Sequence, residues 1–140
     1  MSLIWCKEIS KYIFVKENGD ILTSRDGEKW KLSENFIGSW RGVTWNGKIA
    51  VIVASSGKNK IMWSSNGDVW NETNVKNVSC MSVTYGNGMF VAIGDLGVDR
   101  LAISRDGKTW EELKAPMYPW KGVSYNNGKF VAIGGGHQME

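Results

Sequence analysis

The chain has 140 residues, 42% of them hydrophobic and 22% charged, with a formal net charge of +3. That length supports one domain with a real core and not two independent ones. Composition excludes a membrane span, since no apolar run approaches ~18 residues. It also argues against a nucleic-acid partner, since no basic run exceeds two residues.

In chain order, the first unit spans roughly residues 1–33 and is irregular. Leu3–Trp5, Tyr12–Val15, Ile21–Ser24 and Trp30–Leu32 read as its short strands. Lys7, Glu8 and Lys11 interrupt its apolar stretch and break any secretory core. Bulky Trp5 before Cys6 makes a poor lipoprotein cleavage site. No signal peptide is visible, and a soluble, reducing compartment is expected.

The second unit, residues 34–73, parses most cleanly. Strand A is Trp40–Trp45, Asn46-Gly47 turns the chain, and strand B is Ile49–Ala54. The hairpin turn is expected to place both central residues at positive φ. A variable loop runs over residues 55–60, strand C is Ile61–Ser64, Asn66-Gly67 turns again, and strand D runs through Trp70. The third unit, residues 74–113, repeats this pattern. The last, residues 114–140, holds A and B strands only, which gives about fourteen strands in all.

The repeat decides the architecture. Trp30, Trp70 and Trp110 are forty residues apart, and each closes the same phrase. The first copy is Ser24-Arg25-Asp26-Gly27-Glu28-Lys29-Trp30. The second is Ser64-Ser65-Asn66-Gly67-Asp68-Val69-Trp70, and the third is Ser104-Arg105-Asp106-Gly107-Lys108-Thr109-Trp110. A second phrase opens at Trp40, Cys80 and Trp120 and turns at Asn46-Gly47, Asn87-Gly88 and Asn127-Gly128, the first copy reading one residue shorter at its turn. Four antiparallel strands per ~40 residues are the mark of β-propeller blades. An ordinary sandwich with repetitive hairpins is the alternative. The phrase has a structural job: Asp26 and Asp106 accept backbone N–H bonds across a turn, the serine hydroxyls add a partner, and the tryptophan covers the hairpin. Asn66 keeps the turn and loses the charge, so the charge is not doing chemistry at every copy.

This phrase resembles the Asp-box, or BNR repeat, of sialidase-like β-propellers and related bacterial and phage proteins. Here glycine directly follows the aspartate, as in the short variant. The resemblance runs from about Tyr12 to Gly134. It implies a propeller fold and a cytoplasmic or phage/virion-associated setting, while function stays open, because the repeat occurs in enzymes, lectins, receptors and assembly factors alike. A sialidase would need three converging arginines, a tyrosine nucleophile and an acidic partner. The four arginines do not supply them: Arg25 and Arg105 are repeat-equivalent turn residues, leaving Arg41 and Arg100, and no Arg-Ile-Pro occurs.

Other chemistry is sparse. The two cysteines, Cys6 and Cys80, lie far apart, and the single histidine, His137, falls in the last seven residues. No metal site, disulfide framework, Gly-x-Ser-x-Gly elbow or cofactor is expected. The glycines around Gly94–Gly97 read as a B–C loop rather than a dinucleotide fingerprint.

Strand alternation puts the A–B and C–D turns on one rim and the variable B–C and D–A loops on the other. If a ligand binds, the variable rim is where it is expected. Trp40 with Arg41 and Trp120 with Lys121 are the candidates there, an aromatic with a cation suiting sugars or anions. Packing of both tryptophans between blades is the favoured reading of the two. The expected function is a non-catalytic propeller scaffold or interaction module; a lectin-like carbohydrate binder and a sialidase-like hydrolase fragment are the alternatives. A homo-oligomer completing the ring is expected, with a dimer of seven blade equivalents favoured.

Overall fold

The computed structural model describes residues 1–96 and 99–140. The B–C loop expected at residues 95–100, with the Gly94–Gly97 run, therefore lies partly outside the described residues. All described regular structure is β apart from one 3-10 turn, Lys7–Ile9. No helix there is long and apolar enough to cross a membrane.

Fifteen strands form four antiparallel sheets among the described residues, each built in chain order. Sheet one is β1 (Ser2–Cys6), β2 (Lys11–Val15), β3 (Asp20–Ser24) and β4 (Lys31–Asn35). Sheet two is β5 (Gly38–Trp45), β6 (Ala50–Gly57), β7 (Ile61–Ser64) and β8 (Asn71–Glu72). Sheet three is β9 (Cys80–Gly86), β10 (Met89–Gly94), β11 (Asp99–Ser104) and β12 (Glu111–Lys114). Sheet four is β13 (Gly122–Asn126), β14 (Lys129–Gly134) and β15 (His137–Met139). These are propeller-type blades, three complete and a fourth without its outer strand. The last unit thus carries a third strand that its sequence did not suggest, because three residues of His-Gln-Met show no strand pattern.

The blades stack through their first strands: β5 packs between β1 and β9, and β9 between β5 and β13. Alternation along each strand gives every blade two apolar faces. Ile13, Val15 and Ile21 of blade 1 meet Trp40, Ala50, Ile52 and Met62 of blade 2. Val51, Val53 and Ile61 on the other face of blade 2 meet Cys80, Phe90, Ala92 and Trp110 of blade 3. Ile93 and Leu101 of blade 3 then meet Trp120, Val123 and Ala132 of blade 4. The core is therefore a series of inter-blade layers, and the residues that make the strands also glue the blades together.

Three local readings are corrected. Trp45 pairs with Ala50 and Tyr85 with Phe90, so the two hairpins are equally long. The glycine has moved one place, and no residue is missing. Only Asn87 and Asn127 join their glycines at positive φ. Asn46 instead accepts bonds from the Lys48 and Ile49 backbone N–H groups, so its side chain closes a four-residue loop. Trp30, Trp70 and Trp110 precede the outer strands instead of lying on them.

A candidate binding rim

Each C–D turn is held by its own side chains. Gly27, Gly67 and Gly107 donate their N–H to Ser24, Ser64 and Ser104 Oγ, all at 2.8 Å. Asp26 Oδ1 accepts from the Glu28 and Lys29 N–H groups at 2.9 Å, and Asp106 does the same for Lys108 and Thr109. Asn66 makes the equivalent bonds to Asp68 and Val69 at 2.8 and 3.0 Å. Trp30, Trp70 and Trp110 Nε1 donate to the turn glycine carbonyls. The Lys29 and Thr109 amides above all hold Asp26 and Asp106 below the usual carboxylate range. Beside the first turn, Lys11, Arg25, Lys29 and Lys31 surround a cleft of about 350 Å³, where Lys11 pairs with Asp68 at 2.8 Å.

The opposite rim is built from loops between blades. Trp40 and Trp120 are both 1% exposed. The Trp40 indole donates to the Gly19 carbonyl and the Trp120 indole to that of Pro116. Both pack between blades and present no ring to a ligand. Their neighbours do reach the surface. Arg41 binds Glu17 at 2.6 Å and Ser55 at 3.0 Å, and Lys121 binds Asp95 at 3.2 Å.

The acids of this rim escaped the sequence reading. Register supplies the missing signal: Val15, Val53 and Ile93 occupy equivalent places in their sheets, so Glu17, Ser55 and Asp95 also correspond. Each lies two residues beyond; Glu17 and Asp95 pair with the second residue of the next blade's opening phrase, Arg41 and Lys121, whereas Ser55 accepts from Arg41 of its own blade. Ser39 Oγ donates to the Glu17 carbonyl, and Ser79 Oγ repeats that bond to Ser55 at 2.7 Å. Arg100, largely buried, donates to the carbonyls of Asp95 and Tyr118. His137 stacks on Tyr118 with ring centroids 3.5 Å apart. The rim is a row of inter-blade clasps.

Titration follows the same logic. The Trp45 indole, above all, holds Glu8 below its ordinary range. Burial, the largest single effect, raises Glu112, but the Asn77 and Lys76 backbone amides and the Asn77 side chain together hold it below its ordinary range. Burial pushes the Cys6 thiol up to about 12 and that of Cys80 up as well. Among the described residues, no group of three or more His, Cys, Asp or Glu side chains is arranged to hold a metal.

No protein family profile and no curated protein matches this sequence. Solved structures do. The chain is similar to one in a nidogen/laminin complex, at 11% identity and a TM-score of 0.68, over 88% of this chain and 51% of that one. It is similar to the computationally designed Ika8 protein, at 11% identity and a TM-score of 0.69, over 94% of this chain and 42% of that one. It is similar to the Niastella koreensis GH74 enzyme, at 15% identity and a TM-score of 0.62, over 99% of this chain and 23% of that one. The fold is a β-propeller arc. The chain spans about half or less of each of these structures.

Proposed function

We propose that this chain is a non-catalytic β-propeller scaffold, an interaction module assembled from Asp-box repeats. One observation carries the reading: its recurring polar residues are spent on turns and inter-blade clasps. Asp26, Asn66 and Asp106 accept the same two amides, with or without charge. Arg41 and Lys121 are each paired across a blade boundary. The likeness to a GH74 enzyme brings no catalytic residues with it, because fold alone does not carry chemistry. Two free buried thiols suit a reducing setting, cytoplasmic or within a virion assembly.

A lectin-like reading has one observation in its favour: the loop rim presents polar pairs, Arg41 with Glu17 and Lys121 with Asp95, of the kind a sugar site uses. A glycan array and a panel of fluorogenic glycosides, both run on the wild-type chain, separate the readings. The scaffold reading expects neither binding nor turnover. Glycan binding that disappears in Arg41→Ala would establish the lectin. Turnover that survives purification and disappears when a rim carboxylate is replaced would establish the hydrolase.

A further inference from the structure

The two ends of the arc differ from its interior at equivalent repeat positions. On the face of blades 2 and 3 that looks toward the next blade, Val53 and Ile93 are each 0% exposed. Their counterpart in blade 4, Ile133, is 56% exposed. On the face that looks toward the preceding blade, Trp110 is 4% exposed and its counterpart Trp30 is 38%. Leu3 and Trp5 share that uncovered face with Phe14 and Leu22.

The interior boundaries show what belongs against such faces. A Cβ added to Gly67 would touch Ile13 of blade 1, and one added to Gly107 would meet Ile49 and Val51 of blade 2. The turn glycines of the second and third phrases therefore insert into the blade before them. Gly27, in the first phrase, meets only Tyr12 of its own blade. Likewise Gly42 of blade 2 lies against Val83 of blade 3. Its counterpart Gly122 in blade 4 has only Ile133, of the same sheet, within reach. Blade 1 is thus shaped to receive a preceding blade, and blade 4 to receive a following one. The aromatic packing on blade 1 is already set for this: Trp5–Tyr12–Trp30 reproduces Tyr85–Phe90–Trp110 of the blade 2–blade 3 boundary.

We propose that two copies of this chain close one ring, the free face of blade 4 in each packing on the free face of blade 1 in the other. The proposal rests on the propeller-scaffold reading and needs no ligand at the loop rim. A second copy is the occupant argued for because each copy supplies both faces, so two identical contacts satisfy all four ends. A head-to-tail contact of this kind closes when its rotation divides the circle. Four sheets per copy give eight in the ring, within the range of about 4–8 blades that propellers use. The last sheet holds three strands and not two, which is why the count differs from seven.

Light scattering over a concentration series tests the mass, and two exposed positions test the interface. Ile133→Lys and Leu3→Glu change residues that are exposed in the single chain, so each variant folds, as its circular dichroism checks. The wild type is expected at twice the chain mass, and each substitution is expected to weaken association more than tenfold. Mixing Leu3→Cys with Gly122→Cys is expected to give a disulfide-linked pair of chains, since these positions copy the Val83–Gly42 contact. Lys58→Cys replaces Gly122→Cys as the control and is expected to give none. A single-chain mass at every concentration overturns the proposal. So do an open series of larger assemblies, a two-chain mass unmoved by both charges, or failure of the specific disulfide. None of these outcomes bears on the glycan and glycoside tests, so the ring can fail while the scaffold reading stands.

Discussion

At the scale of single residues, the turn aspartates set a pH dependence. Asp106 accepts two backbone amides, and these hold its carboxyl below the ordinary range. A carboxylate whose folded pKa is depressed contributes stability above its unfolded pKa, near ~4. That contribution is lost as pH falls through the folded pKa. Asn66 makes the same bonds without titrating. Asp106→Asn is therefore expected to melt close to wild type at pH 7 and to show less loss of stability between about pH 4 and pH 2. Asp106→Ala removes the acceptor and is expected to cost about 1 kcal/mol at neutral pH, by analogy with removing a helix N-cap. Thermal melts of the three proteins across that range check both. A wild-type acid slope retained in Asp106→Asn would show that another carboxylate sets it.

At the scale of elements, two hairpin glycines separate backbone cost from packing cost. Gly88 has φ +75° and nothing within 4 Å of an added Cβ. Gly107 has φ +78°, but an added Cβ would lie 2.6 Å from Ile49 and 3.0 Å from Phe90. Gly88→Ala should lose only the left-handed penalty, about 1–2 kcal/mol. Gly107→Ala adds overpacking of the blade 2–blade 3 layer, typically a further ~1–3 kcal/mol. Denaturant unfolding should order them that way, and equal losses would mean that Ile49 moves aside freely. These glycines also mark the limit of legibility. The Gly107 turn was readable because Ser-x-Asp-Gly-x-x-Trp is local chemistry. That its glycine enters the core layer shared with the preceding blade was not, because that contact joins residues almost sixty positions apart. Asn46-Gly47 looked like the other hairpin turns, yet its loop differs because its glycine sits one place earlier against an unchanged register. The candidate rim divided the same way. Arg41 and Lys121 were found as cations beside aromatics, whereas Glu17 and Asp95 emerge only when strand register aligns the blades.

At the scale of the whole molecule, stability should be graded along the arc. Blades 2 and 3 are covered on both faces, whereas blades 1 and 4 each have one face bare. In a stacked array, each unit gains from its neighbours, so end units open first. The central strands β6 and β10 carry fully buried runs, Ala50–Ala54 and Phe90–Gly94 apart from a trace at Val91. The β14 strand, equivalent to β10 in the repeat, is largely exposed or half-buried. In dilute protein, the amides of β14 are therefore expected to exchange much faster than those of β10, and β1 and β2 to exchange faster than β6. Ring closure as proposed would make this gradient depend on concentration. Partner contact removes the bare faces, so protection at β14 and β2 should rise with protein concentration while β6 and β10 stay constant. Hydrogen exchange read by mass spectrometry at two concentrations, either side of the light-scattering transition, measures both effects in one experiment. A gradient that ignores concentration would mean that the ends fray in the assembled form as well. Uniform protection at both concentrations would mean that the blades open only together, and that the repeat is one cooperative unit rather than a stack.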